Sequence, residues 1–68
     1  MITLKDFQKV TVAARVEYRC NFADCDFETA SNEDTRTLQA WENSNAIVTE
    51  ITEYDGVLLV ECEITVED

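Results

Sequence analysis

Residues 46–66 read AIVTEITEYDGVLLVECEITV, and this stretch decides the fold. Asp55-Gly56 holds the only glycine of the chain and separates two β-rich runs, Ala46 to Tyr54 and Val57 to Val66. Asp-Gly between such runs signals a two-residue hairpin turn, whose central positions need the positive φ that glycine takes at no cost. That turn fixes the register, setting Tyr54 opposite Val57, Ile51 opposite Val60, Thr49 opposite Cys62 and Ile47 opposite Ile64. Leu58, Val60, Cys62, Ile64 and Val66 alternate without a break and mark the face turned to the core. The opposite face follows by geometry: Glu50 against Glu61, Val48 against Glu63, Thr52 against Leu59, with Glu67 continuing the row.

Like charges placed directly across a sheet destabilise it by a few tenths of a kcal/mol, roughly, or more, and nothing nearby in sequence relieves these. From Thr37 to Asp68 there are eight carboxylates and no Lys, Arg or His. The first 36 residues hold all five bases against seven acids, so a net charge of −10 divides into −2 and −8. An unneutralised acidic half is a field suited to drawing in a basic partner. It opposes direct binding of nucleic acid or anionic lipid, since each phosphate contact needs a cation.

Upstream, Val10, Val12, Ala14, Val16, Tyr18 and Cys20 alternate with polar residues and predict a half-buried strand. A return strand from about Asp24 to Ala30 places Cys25, Phe27 and Thr29 inward and Asp24, Asp26 and Glu28 outward. With Asn21 to Asp24 as the loop, Cys20 faces Cys25 and Arg19 faces Asp26. Between the hairpins, Ser31 as N-cap and Asp34 in the capping-box position start a helix running to about Asn43, with Leu38 and Trp41 on its buried side. Thr3-Leu4-Lys5-Asp6-Phe7 allows a short N-terminal helix or a continuation into the first strand. The expected fold class is α+β, a single domain over residues 1–68: a small antiparallel sheet of two hairpins with one main helix between them. At this size homodimerisation is an ordinary way to add buried surface.

Catalytic chemistry finds little footing. There is no histidine, no Gly-x-Ser-x-Gly elbow and no phosphate-cradling glycine loop, so no enzyme and no cofactor are expected. Cys20, Cys25 and Cys62 lack a fourth ligand for zinc and read as small buried hydrophobes. Asp24-x-Asp26-x-Glu28 lacks the glycine and the twelfth-position acid of a calcium loop and reads as a solvated face. No stretch approaches the roughly 20 apolar residues of a membrane span, and the N-terminus lacks the pattern of a signal peptide, so a cytoplasmic location is expected.

In length, acidity, absence of histidine and compact α+β plan, and in the carboxylate face Glu50, Glu61, Glu63 and Glu67, the chain resembles the small acidic DNA-mimic proteins of bacteriophages. Within that group it is similar to the phage inhibitors of the histone-like HU protein. The resemblance implies a non-enzymatic inhibitor acting in the host cytoplasm. Its partner would be a basic nucleic-acid-binding protein, such as HU, RNA polymerase, a restriction enzyme or a CRISPR effector. The glutamates would occupy the place of DNA phosphates, flanked by Glu42, Glu53 and Asp55. Arg15, Arg19 or Arg36 folded over those glutamates would remove the array. The alternative is a small protein–protein adaptor or oligomerisation module, whose apolar contact is Val48, Leu59, Tyr54 and Val57 on the same outer face.

Overall fold

The Asp55-Gly56 turn has φ values of 52° and 82° at its two central residues, the arrangement whose twist matches that of the flanking strands. A computed structural model describes residues 1–10, 15–23 and 25–65. In chain order the elements are β1 (Ile2–Thr3), α1 (Leu4–Val10), β2 (Val16–Asn21), β3 (Phe27–Ser31), α2 (Thr35–Asn43), β4 (Ile47–Tyr54) and β5 (Val57–Glu63). The described strands form one sheet in the order β1-β4-β5-β2-β3.

The sheet is mixed, which overturns the expected antiparallel one. β2 and β5 lie side by side at its centre and run parallel, from Val16 beside Leu58 to Asn21 beside Glu63. The pairs β4·β5, β2·β3 and β1·β4 are antiparallel. Val16, Tyr18, Cys20, Val60 and Cys62 are all buried, so the two cleanest alternations occupy the centre, where the core face is best covered. Parallel neighbours need long connections, and two helices supply them. α1 carries the chain from β1 to β2, and α2 carries it from β3 to β4. The second crossover moves the opposite way across strands of opposite direction, so crossovers of one hand place both helices on one face.

On that face Leu4, Phe7, Leu38 and Trp41 close over Tyr18, Cys20, Val60, Cys62 and Ile64. The Phe7 and Tyr18 rings meet edge to face at 6.4 Å. Thr3 caps α1, its Oγ1 accepting from the Asp6 N–H at 3.1 Å. α1 extends to Val10, so β2 starts at Val16 rather than Val10; Val12 and Ala14 lie outside the described residues. Ahead of α2, the Asp34 carboxylate accepts from the Ser31 N–H at 2.8 Å and the Ser31 Oγ from the Glu33 N–H at 3.3 Å. This box closes the turn before the helix, which begins at Thr35 with Asp34 as its N-cap. At the far end Asn45 takes φ 62°, while its N–H reaches the Glu42 carbonyl and the Ala46 N–H reaches Trp41. That is the Schellman pattern with asparagine in the left-handed position.

Three local expectations are corrected. The register holds from Tyr54 opposite Val57 to Glu50 opposite Glu61, then shifts, because Thr49 is an extra residue. Val48 therefore pairs with Cys62 and packs on the core, and Ile47 pairs with Glu63. The bulge resolves a conflict of packing: with strict alternation Val48 would be left in water. In the first hairpin Cys20 pairs with Glu28 and Arg19 with Thr29, so Phe27 and Thr29 point outward while Glu28 and Ala30 turn to the helix side. The Phe22 N–H donates to the Asp26 carbonyl at 2.8 Å, which leaves Cys25 exposed on the loop at φ 64°.

Nothing lies within 4 Å of a Cβ built on Gly56, so Gly56→Ala should cost about 1 kcal/mol from backbone conformation alone. Asn45→Ala should cost a similar amount, about 1 kcal/mol, whereas Asn45→Gly should leave stability unchanged or raised. Urea midpoints of the three variants check both.

Candidate partner-binding face

Both helices sit on one side of the sheet, and the described residues leave the other side open. This outer face is a lattice set by register. β4 contributes Ile47, Glu50, Thr52 and Tyr54; β5 contributes Val57, Leu59, Glu61 and Glu63; β2 contributes Glu17, Arg19 and Asn21; and β3 contributes Phe27, Thr29 and Ser31. Leu59, Phe27 and Tyr54 are 39%, 53% and 73% exposed. A shallow concavity of about 530 Å³ runs across the middle, lined by Glu17, Arg19, Thr29, Thr52, Leu59 and Glu61 among others.

Glu50 and Glu61 are neighbours, as the turn requires. The parallel ladder then sets Arg19 on the other flank of Glu61, its Nε 3.9 Å from Oε1. The same guanidinium lies 4.0 Å from the centre of the Phe27 ring. Glu61 is thus offset by a base 42 positions away in sequence, and the expected uninterrupted array of negative charge is broken at its middle. Arg15 is also on this side of the chain, 4.0 Å from Glu17. Exposed pairs of this kind add about 0–1 kcal/mol to stability. Their effect on what the surface attracts is larger, because each removes one unit of local charge.

The remaining predicted residues divide. Glu63 is exposed on the outer face beside Asn21 and Ile47. Glu53 opposes Leu58 and belongs to the helix side, at the uncovered end of the hairpin. Asp55 lies in the turn. Glu42 is on α2, where its carboxylate accepts from the Gln8 Nε2 at 2.6 Å, away from the sheet's open side. Glu67 lies outside the described residues. Of the apolar contact, Leu59, Tyr54 and Val57 are outward and Val48 is not. Glu17, Arg19 and Phe27 were absent from both expected surfaces. The outward phase of Glu17 and Arg19 is readable from the alternation around Val16, Tyr18 and Cys20, but their adjacency to β5 is not.

Cys20 and Cys62 are register neighbours on the core side and fully buried. Burial, then the Glu28 charge, pushes the Cys20 thiol up to about 11. Burial, then Cys20 and Glu61, pushes Cys62 up to about 12. The Tyr18 hydroxyl is also raised, by burial first and then by Cys62 and Glu42. These are inert core groups. Among the described residues no group of three or more His, Cys, Asp or Glu side chains is placed to hold a metal ion, and no helix is long and apolar enough to cross a membrane. Glu28 turns to the helix side, where its carboxylate accepts from the Trp41 Nε1 at 3.4 Å, and Asp24 is outside the described residues.

No protein-family model, no curated protein and no solved structure matches this chain.

Above the ordinary thiol value of 9.0, the unfolded chain releases the Cys20 and Cys62 protons while the folded chain retains them until about 11 and 12. Stability should therefore be intact below pH 9 and fall as pH rises through that window. Denaturant midpoints in this range should decline less steeply in Cys62→Ala. With a thiol reagent near neutral pH, Cys25 should react at once and the other two only as fast as the protein opens.

Proposed function

We propose that this protein is a non-enzymatic binding module that docks a basic partner protein on the open face of its sheet, in the cytoplasm. Tyr54, Val57 and Leu59 make the apolar contact. Glu50 and Glu63, which carry no ion pair among the described residues, select the partner by charge, with Glu17 and Glu61 beside them offset by Arg15 and Arg19. The observation that carries this reading is the exposure of Leu59 and Tyr54 on a sheet face that neither helix covers, bordered by four glutamates. Apolar side chains in the middle of a surface give affinity through burial, and a charged rim sets encounter rate and choice of partner. The net charge of −10 fixes the sign of that choice.

The DNA-mimic inhibitor is the second reading. It is favoured by the eight carboxylates after Thr37 without a single base. It is weakened by Arg19 at Glu61, which interrupts the charge row where a phosphate mimic would need it. Its partners would be the basic clefts of HU, RNA polymerase, a restriction enzyme or a CRISPR effector.

Affinity capture from a bacterial lysate, with identification of retained proteins, separates the two when run on four chains: wild type, Leu59→Asp, the Glu50→Lys/Glu63→Lys double variant, and Arg19→Gln. In the docking reading, basic proteins are retained, Leu59→Asp abolishes retention, and the double reversal weakens it. In the mimic reading, retention survives Leu59→Asp, disappears in the double reversal and in about 0.5 M salt, and strengthens in Arg19→Gln. Retention indifferent to every variant overturns both.

A further inference from the structure

We propose that the free edge of β4 between Glu50 and Tyr54 accepts an extended, lysine- or arginine-bearing segment of a partner protein as an added antiparallel strand. β1 pairs with β4 only at Ile47 and Val48, so no described strand lies beside the rest of that edge. The backbone there is aimed outward. Leu58 donates its N–H to the Arg15 carbonyl at 3.1 Å, which turns its backbone toward β2. Its partner across the hairpin, Glu53, therefore points its own N–H and C=O away from β5, and alternation gives Ile51 the same orientation. Two donors and two acceptors at adjacent ladder positions are what an incoming strand needs.

The side chains on this edge fit the same use. Ile51 is 49% exposed on the helix side and Tyr54 is 73% exposed on the other, so an added strand would give each a cross-strand neighbour. Glu50, Glu53 and Asp55 have no base within ion-pair distance among the described residues, and charge complementarity makes the incoming segment basic. A second copy of this chain is disfavoured, since it would bring its own Glu50 and Glu53 and a further net charge of −10. The opposite edge, β3, has one of its backbone donors already engaged, the Ser31 N–H being taken by Asp34, and two of its side chains held within the fold, Phe27 under Arg19 and Glu28 accepting from the Trp41 Nε1 at 3.4 Å. This inference does not depend on the outer-face contact, because it uses β4 backbone together with Ile51, Glu53 and Asp55, and shares with that contact only Glu50 and Tyr54 and not Leu59 or Val57.

The test is residue-resolved amide hydrogen exchange with a synthetic peptide Thr-Val-Lys-Thr-Val-Lys-Thr as probe, and the same peptide with Glu for Lys as control. In the free protein, the Ile51 and Glu53 amides should exchange fastest within β4, while those of Glu50, Thr52 and Tyr54 are protected by β5. The lysine peptide should slow Ile51 and Glu53 about ten-fold or more, and the glutamate peptide should not. Ile51→Pro removes one edge donor, keeps both glutamates and leaves the β4·β5 ladder intact. It should weaken the lysine peptide about five-fold, with the fold checked by Trp41 fluorescence. Leu59→Asp should leave peptide binding unchanged, which separates this edge from the outer face. Three results overturn the proposal: no slowing at saturating peptide, unaltered affinity in Ile51→Pro, or slowing that appears with rising protein concentration alone, which would assign the edge to a second copy.

Discussion

The parallel pairing of β2 with β5 is the constraint from which the rest of this molecule follows. Each hairpin alone would be a two-stranded ribbon, marginal in water. Laid side by side in one direction, they give a sheet wide enough to bury Tyr18, Cys20, Val60 and Cys62 under two helices, with Cys20 and Cys62 withdrawn completely from solvent. The same ladder places Arg19 beside Glu61. One register therefore settles both the packing of the inner face and the electrostatics of the outer one.

On the outer face the balance between charge and apolar contact is decided by magnitude. An exposed ion pair such as Arg19 with Glu61 adds about 0–1 kcal/mol, too little to matter to the fold. Removing a half-exposed leucine or tyrosine from water is worth about 25 cal/mol per Å² buried, which over several such side chains outweighs any single surface charge. In the proposed docking, affinity on this surface would then rest with Leu59, Val57 and Tyr54. The acids would act at longer range, setting the approach and excluding acidic competitors.

How much of this was legible depends on the distance over which each feature is determined. The Asp55-Gly56 turn is written in two residues, and the register it imposes could be followed as far as Glu50 and Glu61. Beyond that the reading fails at Thr49, since nothing in its identity marks a bulge; the shift is driven by the need to bury Val48 against Cys62. The termination of α2 is local and was readable in Asn43-Ser44-Asn45, whereas its start slipped to Thr35 because Ser31 and Asp34 close a turn of their own. The antiparallel sheet was the natural extrapolation from two hairpins. It fails because β1 and the two helical crossovers set how the hairpins meet, and no short window carries that information. Which of Arg15, Arg19 and Arg36 would meet the glutamates could not be read for the same reason: Arg19 and Glu61 are each outward by alternation, and only tertiary register makes them neighbours.

Every contact in the central ladder joins residues 42 positions apart. Closing a loop of that length costs chain entropy before any burial repays it, so assembly should wait on this step while the turn at Asp55-Gly56 forms early and locally. During that wait two ribbons with unsatisfied margins are present at once, a condition that invites chains to pair with one another. A polypeptide with ten surplus negative charges meets its own kind with repulsion. The acidity proposed to select a mate for the finished protein would thus also keep the half-made one solitary until its centre has zipped.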